Sequence, residues 1–244
     1  AYQSWEDYYI SVLSQSISTI AAAFYPHKVT VRLTDFKSNE YRQLLGGSYF
    51  EPYEENPMLG FRGATRYCNP SFEKAFALEC KALYKSIFDH GFDNITIMVP
   101  FVRSEEEAQC TIDKLKSHGI SQKDVSIIMM CEVPSNIIMI KEYARIFDGF
   151  SIGSNDLTQM VLGVDRDSAL LAHLFSEDNP VMKKVFQDII RQTKDIGSYI
   201  SICGQAPSDF PDVADLLISE KIDAISLNSD SILPFLLRYK NNNS

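Results

Sequence analysis

Between Glu6 and Tyr25, apolar residues recur at Ile10, Leu13, Ile17, Ile20, Ala21 and Phe24, one stripe at helical spacing, and Pro26 ends the run. The pattern predicts an amphipathic helix. The β-branched segment from Lys28 to Leu33 predicts a buried strand. A long polar stretch with Gly46-Gly47 and Pro52 follows and reads as a functional loop, because structureless connections of that length are otherwise uncommon. Beyond it, Met58 to Phe61 reads as a short strand, Phe72 to Phe88 as a helix, and Ile95 to Val99 as a strand. A helix follows from Ser104 to His118, opened by a serine cap with Glu107 at the capping-box position. Val125 to Met130 is predicted as a strand, Pro134 to Phe147 as a helix and Gly149 to Ile152 as a strand. A short helix after Asn155 and a longer one from Pro180 to Ile196 come next. Tyr199 to Cys203 and Ala224 to Leu227 are the last strands, each followed by a helix.

Strands alternating with helices imply βα units and a parallel sheet. Their number favours a (β/α)8 TIM-type barrel formed as one domain over residues 1–244, a length common for such barrels. The pattern yields seven strands, and it opens with the helix that should follow a first strand. The expectation is a barrel whose first strand lies upstream of Ala1.

Composition narrows the class. With 45% apolar and 23% charged residues the chain is that of a folded globular protein. No apolar run approaches the roughly 18 residues of a membrane helix, and the N-terminus lacks the order of a signal peptide, so a cytoplasmic location is expected. The five cysteines, Cys68, Cys80, Cys110, Cys131 and Cys203, are odd in number and widely spaced, which predicts reduced thiols. A net charge of −9 argues against nucleic-acid binding. An anionic ligand would have to be held by a few placed arginines.

Barrel chemistry gathers at the C-terminal ends of the strands. The residues expected there are Arg32, Arg62, Glu132, Ser154, Asn155, Asp156, Cys203 and Asn228. Each has a plainer reading. Asn155 or Asp156 would serve as a helix cap, Arg32 and Arg62 as members of structural ion pairs, and Cys203 as a buried filler. Glu132, between an apolar run and Pro134, is either functional or paired, since an unpartnered buried charge is costly. Their convergence favours function. Glu132 and Asp156 offer hard oxygen ligands suited to Mg2+ or Mn2+. The arginines offer donor forks that match phosphate or carboxylate. Cys203 precedes Gly204 and a helix expected from about Ser208, whose positive end would lower its pKa and fit it for proton transfer.

Phe147-Asp-Gly-Phe-Ser-Ile-Gly-Ser-Asn-Asp-Leu-Thr-Gln159 resembles the second signature of the phosphoenolpyruvate-utilising enzymes. Asn56-Pro-Met-Leu-Gly-Phe-Arg-Gly63, Ile97-Met-Val-Pro-Phe-Val-Arg103 and Met130-Cys-Glu-Val-Pro-Ser135 are similar to family segments in the same order. Three further stretches, Asp35 to Tyr41, Leu162 to Ser168 and Ile202 to Asp209, resemble the synthase branch. Ala206, Phe210 and Ser229 depart from its usual glycine, histidine and proline. The resemblance implies that Arg32 and Arg62 bind phosphate and enolate oxygens, that Glu132 and Asp156 hold Mg2+, and that Ser154, Asn155 and Asp156 contact substrate. It further implies that Cys203 is the acid/base on the methyl carbon of pyruvate. The implied reaction, overall, converts ATP, pyruvate and water to AMP, phosphoenolpyruvate and phosphate.

In that scheme a phosphohistidine on another domain of the same full-length chain gives its phosphoryl group to enolpyruvate. No segment here resembles an ATP-binding or phosphocarrier site, so ATP would be used by the full-length enzyme and not bound by this domain. A homodimer is also implied. The competing readings are a dikinase-like domain, a magnesium-dependent lyase or aldolase working through pyruvate enolate, and a non-catalytic remnant.

Overall fold

Helix α1 (Trp5–Phe24) forms where its stripe predicts, with Ser4 capping it by accepting from the Asp7 N–H at 3.1 Å. The buried face is rotated from the expected one. Ser11, Ser14, Ile17 and Ala21 point inward, while Ile20 and Phe24 are exposed. Small side chains let the next layer approach closely, and Ser86 donates to the Ser14 carbonyl at 3.1 Å.

The computed structural model describes residues 2–242, in two units divided after Met129. In the first, β1 (Val29–Arg32) pairs in parallel with β2 (Ile95–Val99), and β2 with β3 (Ser126–Cys131). All five residues of β2 are buried, as a strand covered on both faces must be. Between β1 and β2 lie α2 (Ser38–Gln43), α3 (Ala64–Cys68) and α4 (Glu73–Tyr84), the last continued by a π-turn at Lys85–Asp89. Helix α5 (Glu105–Ser117) joins β2 to β3.

Three expectations need correction in this unit. The polar stretch after Asp35 is a loop only in part, since α2 and a 3-10 turn (Gly47–Tyr49) occupy much of it. Met58 to Phe61 is not a strand. Pro57–Leu59 forms a 3-10 turn instead, and the carbonyls that a ladder would use bond to arginine side chains. Cys68 and Cys110 are disulfide-bonded, not reduced. They lie 42 residues apart, but α3 packs on α5 and brings their Cα atoms to 6.1 Å, within bridging range. Cys80, Cys131 and Cys203 form no disulfide among the described residues.

In the second unit, β4 (Gly149–Gly153), β5 (Tyr199–Cys203) and β6 (Ala224–Ile225) are parallel and paired in chain order, with Gly153 opposite Cys203. The helix expected from Pro134 to Phe147 is two short ones, α6 (Pro134–Ile138) and α7 (Ile140–Tyr143), parted where Met139 takes φ −109° and ψ 27°. Next come α8 (Ser154–Leu162), ended by Gly163 in the left-handed region, and α9 (Pro180–Asp195). Helix α9 buries Met182, Phe186, Ile189, Ile190 and Thr193 along one stripe. Helix α10 (Ala206–Asp209) and α11 (Pro211–Ser219) precede β6, and α12 (Ile232–Asn242) follows it. The chain is α/β. The described residues hold six parallel strands with helices between them, one fewer than the sequence pattern suggests because the Met58 strand does not form.

A buried carboxyl links α4 to the end of β1. Glu79 is 6% exposed, and its Oε1 accepts from both the Thr34 N–H (2.8 Å) and the Thr34 hydroxyl (2.9 Å). Burial raises its pKa, and the Thr34 hydrogen bonds oppose the rise only in part. The folded state therefore holds this proton to a higher pH than the unfolded chain, and stability falls as pH rises from the unfolded value of about 4.3 through the folded one. Glu79→Gln keeps an acceptor at Oε1. It should raise the urea midpoint at pH 7 relative to wild type, with the gain vanishing below about pH 4. Equal shifts at pH 3 and pH 7 would contradict this account.

Candidate active site

The second unit gathers a carboxylate, a hydroxyl and a thiol around two glycines. Glu132 follows β3 directly and is 2% exposed, and its backbone N–H donates to Asn136 Oδ1 at 3.2 Å. Its side chain packs on Gly153, where a Cβ would stand 2.9 Å from Oε2 and 2.9 Å from the Glu132 Cβ. Only glycine leaves room for the carboxylate there. Gly204, at φ +113°, presses against Ser154 so closely that its missing Cβ would overlap the Ser154 hydroxyl. Cys203 ends β5, is half-buried, and donates its thiol to the Ile152 carbonyl at 3.5 Å.

Asp156 sits in the first turn of α8 and is 9% exposed, with Arg166 Nη1 at 4.0 Å from Oδ1. The capping alternative for Asn155 and Asp156 falls away, because Gly153 is the N-cap and both residues lie inside the helix. The expected helix start near Ser208 is corrected too. Helix α10 begins at Ala206 and is four residues long, so it offers Cys203 little dipole. Asn228 lies beyond β6, exposed, with its N–H donating to Ser208 Oγ at 2.9 Å.

In the first unit, Arg32 closes β1. Its guanidinium is exposed and makes no hydrogen bond or ion pair among the described residues. Arg62 is 4% exposed and meets Asp35 as a fork, Nε to Oδ1 at 3.0 Å and Nη2 to Oδ2 at 2.5 Å, while Nη1 contacts Met58 Sδ at 2.9 Å. The plain ion-pair reading of Arg62 is therefore correct as far as it goes. The pair occupies one edge of the guanidinium and leaves its orientation fixed. A separate cavity of about 1250 Å3 in this unit, bordered by Trp5, Tyr9, Tyr41, Phe72 and Glu79, includes neither arginine.

Sequence reasoning passed over three residues that the structure brings to these groups. Asp35 lies in a stretch singled out only for its resemblance, yet it holds Arg62. Arg166 approaches Asp156 from the loop after α8. Glu177 is 3% exposed, and its Oε1, like the Ser154 hydroxyl, meets no partner of normal hydrogen-bond geometry among the described residues. Burial raises the Glu177 pKa and the neighbouring Ser154 lowers it in part. A buried acid that is far in sequence from any strand end leaves no periodic signal by which to find it.

The donor set fits a hard divalent ion in a limited way. No group of three or more potential His, Cys, Asp or Glu ligands occurs among the described residues. Glu132 and Asp156 are each buried and bear only oxygen donors, the donor type that Mg2+ takes, commonly as one or two carboxylates with water and substrate oxygens completing its octahedron.

Comparison with known proteins agrees with this layout of motifs. The model of the "PEP-utilising enzyme, PEP-binding domain" family matches residues 3–243. Phosphoenolpyruvate synthases from Pseudomonas aeruginosa, Aquifex aeolicus and Escherichia coli are 53%, 50% and 48% identical over 93%, 97% and 95% of this chain. The chain spans only 29%, 28% and 30% of those relatives. With nearly its whole length matched, the chain belongs to the family of phosphoenolpyruvate-utilising enzymes, and it corresponds to their phosphoenolpyruvate-binding domain.

Proposed function

We propose that this chain binds pyruvate and phosphoenolpyruvate with Mg2+ as the catalytic domain of a phosphoenolpyruvate synthase. In this role a phosphoryl group passes between a phosphohistidine on another domain of the full-length polypeptide and enolpyruvate. ATP charges that histidine elsewhere in the polypeptide, with release of AMP and phosphate. The reading rests above all on the packing of Glu132 against Gly153 and of Ser154 against Gly204, which sets a buried carboxylate, a hydroxyl and the Cys203 strand end around two bare Cα atoms.

Each residue then has a distinct task. Arg62, oriented by Asp35, binds phosphate or enolate oxygen, and exposed Arg32 adds a second cation. Ser154 and Asn155 support the substrate carboxylate. Glu132 and Asp156 would hold the metal, which when bound would supply positive charge to stabilise the enolate. Cys203, as thiolate, removes a proton from the pyruvate methyl carbon to leave the enolate, and as thiol returns it to C3 of enolpyruvate in the reverse direction. Phosphoryl transfer joins the enolate oxygen to phosphorus and breaks the phosphorus–nitrogen bond of the phosphohistidine. A lyase on the same scaffold would need no phosphohistidine; the names of the relatives favour the phosphotransferase.

Two outcomes test this assignment. Cys203→Ala should abolish exchange of pyruvate methyl protons with solvent, followed by proton NMR in deuterium oxide, while magnesium-dependent binding of oxalate stays near wild type. Retained exchange would remove Cys203 from its role. Arg62→Ala should lower kcat/KM for phosphoenolpyruvate by about 10²–10³-fold, the usual cost of losing one preorganised donor to developing charge. A loss under tenfold at full folding would place the anion elsewhere.

A further inference from the structure

The segment that delivers Arg62 has almost no secondary structure, yet the carbonyls of its four residues 59–62 are all bonded to guanidinium groups. Arg66 Nε donates to the Phe61 carbonyl at 2.8 Å. Arg103 takes the other three: Nη2 donates to Gly60 at 2.6 Å and Leu59 at 3.4 Å, and Nη1 to Arg62 itself at 3.2 Å. Nη1 also donates to the Thr65 hydroxyl at 2.7 Å. Both nitrogens of the fork are thus engaged with the loop.

The anchor of Arg103 is itself fixed. Its backbone N–H donates to Glu107 Oε2 at 2.9 Å, and the other Glu107 oxygen accepts from the Thr65 hydroxyl. Glu107 therefore braces Arg103 and Thr65, and the reciprocal capping box expected with Ser104 does not form as such; Ser104 still caps by accepting from the Glu107 N–H at 3.3 Å. Phe101, at φ +50° and 1% exposed, holds a conformation that is costly for a bulky residue. Its ring carries the Arg62 guanidinium at 4.0 Å and that of Arg103 at 4.6 Å. Gly63, at φ +60°, completes the contact, because a Cβ there would lie 2.5 Å from the Phe101 Cβ.

We infer that Arg103 is a positioning residue for the reaction, setting the guanidinium of Arg62 in register for the substrate anion without touching that anion. The inference rests on the reading of Arg62 given above. Lysine cannot substitute, since one ammonium on a flexible stem does not span acceptors spread over Leu59, Gly60, Arg62 and Thr65.

The test is steady-state kinetics with phosphoenolpyruvate on the full-length polypeptide that carries this chain, comparing wild type, R103K and R62A, with Tm measured for each. R103K should lose on the order of 100-fold in kcat/KM, as expected for a displaced binding group, and most of the loss should lie in KM. Free methylguanidine should recover part of it in R103A, and ammonium should not. A merely structural role would lower Tm and the active fraction and leave KM alone; that result overturns the inference, as does wild-type KM in a folded R103K. Should R103K not fold, R103Q, whose planar amide keeps a donor but not the fork, carries the same comparison with the same two outcomes. If R62A also leaves kcat/KM unchanged, the active-site reading itself fails; if R62A lowers kcat/KM and R103K does not, only the present inference does.

Discussion

Backbone carbonyls withdrawn from water must find donors, and the part-buried carbonyls of residues 60–62 find them in two arginine side chains instead of a strand or helix. That constraint organises much of the first unit. The segment carries the buried Arg62 on an irregular path. An irregular path can be rigid only if every polar group along it is tied to something already rigid. Arg66 ties it to a nest of aromatic rings, Tyr41, Phe61 and Phe72, and to Glu51 at 2.6 Å. Arg103 ties it to the loop leaving β2. The side chain, the carbonyl and the following glycine of Arg62 are each held by a different partner.

The second unit reaches the same end by subtraction. Glu132 and Ser154 are large enough to collide with ordinary neighbours at the ends of β4 and β5, and glycine at 153 and 204 removes the collision. Without those glycines the carboxylate and hydroxyl would turn outward or the strand ends would part. Close packing also explains why polar atoms such as the Ser154 hydroxyl and Glu177 Oε1 stand without ordinary hydrogen bonds among the described residues, an arrangement that costs stability and is tolerated chiefly where function needs it.

Much of this was legible from residue order. The apolar runs marked β2, β3, β4 and β5 because strands buried on both faces read as continuous hydrophobic stretches. The helices α1, α5 and α9 followed from caps and stripes. Placement of Glu132, Ser154 and Cys203 at strand ends followed in turn. What escaped was non-local. The Met58 segment is apolar enough for a strand, but its carbonyl partners are Arg66 and Arg103, and no window of sequence around Met58 contains Arg103. The Cys68–Cys110 bridge depends on α3 lying on α5, a packing fact with no spacing rule behind it. Met139 breaks a helix that its periodicity would have continued, and the structure offers no single residue as the cause.

Arg62 shows why a structural and a functional reading of one residue need not compete. A lone guanidinium at 4% exposure would carry a severe desolvation penalty, and Asp35 offsets it with a bidentate, charge-assisted bond. The pair is close to neutral. In the role proposed for Arg62, an arriving dianion would meet a donor whose direction is already set and whose charge is partly balanced, so the attraction would depend more on geometry than on net field. Binding by geometry is sensitive to small rotations, whereas binding by field is not. A site built this way needs a second tier of residues that hold the backbone still, and the several bonds that Arg103 makes to the Arg62 segment are what such a tier looks like in side chains.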